Sequence, residues 1–194
     1  MKKTNNKGFS LVELIIVIAI MAILAGAIAP ALIRYIDKSR KSNDVSSCKS
    51  IKTAVETALG NEDVYAYLTS VANATDYNAV KIAPGVATSE GDDTAAIDIT
   101  ITGTTPSDLP DDIEDTAKSE IGTNIGEKTP KIKYKKTSVD DIGKPSEFWA
   151  LISPKGTVYV LIGTGDQPSI TVDGNNITSS DGYLISPEAC DSYK

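Results

Sequence analysis

Residues 9–33 read FSLVELIIVIAIMAILAGAIAPALI, an apolar run whose only ionisable side chain is Glu13. Roughly 20 helical residues cross a hydrocarbon core, so the run predicts a helix long enough to span a membrane. An ionised acid at bilayer depth costs about 2.5 to 3.5 kcal/mol on insertion scales. Glu13 therefore marks function rather than anchoring, and the partner its charge requires is an amine.

Ahead of the run lies a short polar leader, MKKTNNKG, carrying Lys2, Lys3 and Lys7. It has the charge of a secretory signal peptide, but such a peptide has an apolar core of only about 7 to 15 residues and a small-residue cleavage site behind it. The run here is longer, and it contains an acid.

Lys7-Gly8-Phe9-Ser10-Leu11-Val12-Glu13-Leu14, followed by the apolar run, resembles the class III signal of type IVa-like prepilins of the major-pilin type and of the related pseudopilins. The resemblance covers roughly the first quarter of the chain. It implies cleavage between Gly8 and Phe9 by a membrane prepilin peptidase, N-methylation of the new Phe9 amine by the same peptidase/N-methyltransferase, and assembly of a homopolymer by machinery in the membrane. The chemistry of the residues agrees. Cleavage creates an ammonium at Phe9, one helical turn before Glu13. An ammonium on one subunit and Glu13 on another compensate each other in a low-dielectric medium, which favours one axial register.

Once the leader is removed, a modest chain remains, enough for the anchor and one soluble core. The organisation expected is a leader over residues 1–8, a transmembrane and polymerisation helix over 9–33, an amphipathic half-helix over 34–60, and an extracellular β-sheet head over 61–194. The net charge of −7 and sequence pI near 4.6 disfavour nucleic acid as a partner. Lysines before the run and Arg34, Lys38, Arg40 and Lys41 after it nearly balance under the positive-inside count. A cytoplasmic N-terminus, with the threonine-rich head outside, is what the resemblance implies.

Within the run, Pro30 has no N–H for the carbonyl of Gly26, and glycine is itself a weak helix former by about 1 kcal/mol relative to alanine. The resemblance implies that the Ala25–Pro30 stretch loses helix on assembly; the residues alone fit a proline kink. Beyond the run, Val45, Cys48, Ile51, Val55, Ala58 and Leu59 form one apolar stripe, with Asp44, Lys49, Lys52 and Glu56 mostly off it. Arg34 with Asp37, Asp37 with Lys41, and Arg40 with Asp44 have the spacing of local helical pairs. Gly60 predicts the stop.

From Asn61 to Gly91 the periodicity is mixed and reads as a variable connection. Val64–Val71 continues or restarts the helix, and Pro84-Gly85 makes a turn. Residues 96–102 (AIDITIT) alternate as a strand, residues 110–121 suit a short acidic helix, and residues 131–136 make a second strand candidate. Glu147–Ile162 predicts a hairpin about Ser153-Pro154-Lys155-Gly156, and 170–172 with 177–178 a weaker one about residues 173–176. Phe148 and Trp149 are read as packing residues. The fold class is α+β: a long N-terminal helix packed on a small antiparallel sheet, the pilin fold.

Cys48 and Cys190 are the only cysteines. In the pilins resembled, a disulfide often closes a C-terminal loop; here one cysteine lies on the helix, so a Cys48–Cys190 bridge and a buried, unbridged Cys48 both stand as readings. With no histidine, Ser-His-Asp, Cys-His and His-ligated zinc arrangements are excluded. No cofactor, metal or catalytic residue is expected. The acidic groups at 90–93, 111–115 and 140–141 lack EF-hand spacing and read as solvated surface. Asn73-Ala74-Thr75 and Asn176-Ile177-Thr178 match the glycosylation sequon. A structural pilus subunit is the function expected. A pseudopilin for secretion or DNA uptake and a monomeric membrane-anchored binding protein are the alternatives.

Overall fold

The computed structural model describes residues 10–71, 76–83, 97–103, 105–126, 130–135, 143–173 and 176–194. The leader, Gly8, Phe9, the Asn73 sequon, the Pro84-Gly85 turn and the acidic groups at 90–93 and 140–141 lie outside these residues. Two compact units make up the chain, Met1–Ser39 and Arg40–Lys194. In the first, every large apolar side chain from Leu11 to Ile36 is exposed.

Helix α1 runs from Leu11 to Ala58, with Pro30 inside it. Its C-terminal part buries Cys48, Ile51, Ala54, Val55 and Ala58, while Val45 and Leu59 pack at the margin, as the stripe predicts. Asp44 departs from the sequence reading. It is fully buried, and its carboxylate accepts the amides of Lys133 and Tyr134 at 2.7 and 2.9 Å. The same two bonds explain why the described residues 131–135 are not the strand their composition suggests: those amides point at a helix side chain, not at a neighbouring strand.

The segment read as a variable connection holds two elements. Helix α2 (Glu62–Thr69) restarts after Gly60 because Asn61 caps it, its side chain accepting the Asp63 and Val64 amides. Strand β1 (Asn78–Ala83) follows, and its first residue closes the other end of α2: Asn78 Nδ2 donates to the carbonyls of Tyr67, Leu68 and Ser70. Carbonyls at the helix end that have no intrahelical donor are satisfied here by a buried amide side chain.

Strand β2 (Asp98–Thr102) alternates exposed and buried residues, as its sequence does. The acidic helix α3 (Ile113–Ile125) begins three residues later than the sequence suggests and extends to Ile125, burying Ile113, Ala117 and Ile121. Strands β3 (Glu147–Ile152) and β4 (Val158–Gly163) form the predicted hairpin. Its turn is closed by Ser153 Oγ, which accepts from Lys155 and Thr157, and by Gly156 at φ +76°. Strands β5 (Ser169–Asp173) and β6 (Asn176–Ser180) form the second hairpin as a separate two-stranded sheet. Strand β7 (Gly182–Ser186) was not apparent from the sequence. The main sheet has the order β2-β1-β3-β4-β7, antiparallel throughout.

One face of this sheet contributes Val80, Ile82, Phe148, Ala150, Ile152, Val160 and Ile162 to the core shared with α1, α2 and α3. The other face carries Ala79, Trp149, Leu151, Leu161 and Leu184, covered by Ile170 of β5. Phe148 and Trp149 thus pack on opposite faces, both buried. The architecture is α+β, with an antiparallel sheet packed on the C-terminal part of a long helix.

Candidate functional site

The site begins at the first residue the structure describes. Ser10 precedes α1 as its cap, its carbonyl accepting the Leu14 amide at 3.2 Å. The Ser10 amide in turn donates to Glu13 Oε2 at 3.0 Å. This is half of a capping box: the first amides of a helix have no partner within it, and an acid three residues past the cap reaches back to one. The positive end of the helix dipole favours a carboxylate at the same place. The signal was legible as Ser-x-x-Glu, and the sequence reading, occupied with the charge of Glu13, missed it.

From Leu11 onward, the described surface around Glu13 is apolar. Leu11 is 72 % exposed, Val12 62 % and Leu14 57 %, and the exposure continues without a buried residue to Ile36. This is not the stripe of a helix docked on its own core. The helix is long and apolar enough to cross a membrane. Gly26 and Pro30 lie in helix, and nothing stands within 4 Å of where a Cβ on Gly26 would be. Pro30 still leaves the Gly26 carbonyl without its usual donor. Glu13, its cap and the weakened turn therefore share a single helix, while Gly8 and Phe9 lie outside the described residues.

The remaining singled-out residues lie in the head. Cys48 is fully buried on α1 and Cys190 half-buried just before the 3-10 turn Asp191–Tyr193; both are thiols in this structure and both pack against the same core. Burial, with the nearby Asp44 charge, pushes the Cys48 thiol well up, which makes it a poor nucleophile. Of the acidic group at 111–115, Glu114 pairs with Lys118 at 2.7 Å. Among the described residues no group of three or more Cys, Asp or Glu side chains is arranged to hold a metal ion. Asn176 and Thr178 of the second sequon are exposed on β6.

Residues 3–29 match the family described as the prokaryotic N-terminal methylation motif. The chain is 44 % identical over 57 residues to the type IV major fimbrial protein FimA of Dichelobacter nodosus, covering 29 % of this chain and 36 % of that protein. It is 51 % identical over 54 residues to fimbrial protein Q of Moraxella bovis, covering 28 % and 34 %. To the type IV major pilin protein PilA of Myxococcus xanthus it is 36 % identical over 61 residues, covering 31 % and 28 %. The chain thus spans about a third of the length of these relatives. No solved structure gives a significant match.

Proposed function

We propose that this chain, which carries the N-terminal segment of a type IV pilin, is a structural subunit of a type IV pilus. One observation carries the reading: every large apolar side chain from Leu11 to Ile36 is exposed, around a single acid at Glu13. Leaving such side chains in water forgoes about 1.5 to 3 kcal/mol apiece. Lipid covers them before assembly, and the helices of neighbouring subunits cover them afterwards. The chain is in this account a membrane-anchored precursor first and part of an extracellular filament later, serving adhesion, aggregation or twitching motility.

In the proposed sequence of events, prepilin peptidase cuts between Gly8 and Phe9 and the new amine is methylated. The Phe9 ammonium of one subunit then meets Glu13 of another in an apolar medium, where each charge relieves the other. The Gly26–Pro30 turn, short of one hydrogen bond, is the place where α1 yields when packed into the filament. The relatives named as fimbrial and pilin proteins, and the methylation motif, support the pilus-subunit reading and the processing it starts from.

A strain carrying Glu13→Ala as its only copy tests the role of the acid. Deleting an intramembrane charge makes insertion no worse, so precursor should accumulate and be cleaved while sheared filaments become scarce. Normal filament yield from this strain would remove Glu13 from assembly.

A further inference from the structure

Glu13 is engaged by its own chain before any other subunit arrives. Its Oε2 accepts the Ser10 amide at 3.0 Å. A carboxylate has two oxygens and about four acceptor sites, so this bond leaves Oε1 uncommitted to the cap. We propose that Ser10 is a positioning residue, whose backbone N–H pins Glu13 Oε2 over the first turn of α1 and presents Oε1 to the ammonium of a second copy of this chain. The inference rests on the pilus-subunit reading of Glu13 and adds what holds the acid in place.

A glutamate side chain on an exposed helix surface samples several rotamers, and ordering it costs entropy. Tethered by its Cα at one end and by the Ser10 amide at the other, it offers its charge at one height along the helix axis. A register-setting pair needs that. The hold also answers a problem the ammonium does not solve: an unassembled subunit keeps Glu13 in an apolar environment before a partner is present. An amide hydrogen bond and the helix dipole then replace part of the water the carboxylate has lost. Cleavage between Gly8 and Phe9 leaves the Phe9–Ser10 peptide bond intact, so the same donor serves precursor and mature chain.

Because the donor is backbone, two substitutions at one position separate the amide from the side chain. Ser10→Ala keeps the N–H, whereas Ser10→Pro removes it ahead of the helix, where no backbone hydrogen bond of α1 is lost. The uncleaved full-length chain is reconstituted in phosphatidylcholine vesicles, and the infrared spectrum of each variant is compared with that of its own Glu13→Gln counterpart, isolating the Glu13 carboxylate band. The band should match wild type in Ser10→Ala and shift in Ser10→Pro. In cells, with each variant as the only subunit, Ser10→Ala should give wild-type fibre yield. Ser10→Pro should fall roughly fivefold, with mature chain still present in membranes. If the proline blocks cleavage, the vesicle spectra decide alone, since they use uncleaved chain. An unshifted Glu13 band in Ser10→Pro overturns the proposal. Wild-type fibres lacking this chain would overturn the pilus reading instead, and the vesicle result would stand apart from it.

Discussion

The carboxylate of Asp44 accepts the backbone amide of Lys133 at 2.7 Å, across a separation of 89 residues. Its second oxygen takes the Tyr134 amide, Lys41 Nζ lies 5.0 Å from the centre of the Tyr134 ring, and that ring meets Tyr193 edge-on at 5.9 Å. One turn of α1 thereby fastens both the segment at 131–135 and the C-terminal 3-10 turn.

Asp44→Ala should therefore loosen the head while leaving α1 helical. Two amides lose their acceptor, at a cost on the order of 1–3 kcal/mol. For a unit of this size each kcal/mol lowers the melting temperature by about 2–4 °C. Thermal unfolding of the detergent-solubilised chain measures it, and an unchanged midpoint would show that water replaces the carboxylate without cost.

The pH dependence of the same residue has a definite sign. Burial pushes the Asp44 carboxyl above its ordinary 3.8, more than the two amides and the Lys133 charge pull it back. The folded chain thus holds this proton to higher pH than the unfolded chain does. Its contribution to stability is fully present below 3.8 and is lost as pH rises through the folded value. Between pH 4 and pH 7 wild type should lose stability relative to Asp44→Asn, as denaturant midpoints of the two would reveal. A gain over that interval would reverse the sign.

How much of this was legible is clearest at the strands. AIDITIT alternates and gave β2; EFWALISPKGTVYVLI announces a hairpin because its turn chemistry lies between two β-prone runs. Strand β1, NAVKIA, is buried on both faces and has no alternation to read, so it was lost in a connection. Strand β7, GYLIS, is buried throughout for the same reason. Asp44 reads in the sequence as a charge off the apolar stripe, at helical pairing distance from Arg40, because its buried partners are backbone amides that carry no sequence signature. Glu13 was found by its cost in a membrane, whereas its hold on Ser10 was written in the Ser-x-x-Glu spacing and overlooked.

Gly163 is a place where shape alone excludes a side chain. A Cβ there would stand 2.6 Å from Cδ1 and Nε1 of Trp149. Gly163→Ala should displace the indole and cost about 1–3 kcal/mol, the usual range for overpacking. Trp149 is the only tryptophan, so its fluorescence reports the site directly. A red-shifted emission is expected, and an emission and stability identical to wild type would contradict the packing described.

The two cysteines should differ in reactivity. Cys190, half-buried, should be alkylated in the native chain, and Cys48, fully buried with its thiol pushed up, only after unfolding. Timed alkylation followed by nonreducing peptide mapping reads both positions. A linked Cys48–Cys190 peptide would restore the bridge as the working state of the protein.

The central claim is that this chain forms a filament through its processed N-terminal helix. Intact-mass analysis of filaments sheared from cells expressing it tests that most directly. The account predicts a dominant species beginning at Phe9, heavier by one methyl group than the unmodified chain from that residue. Filaments that contain the full-length chain, a chain beginning elsewhere, or no copy of it at all would contradict the account.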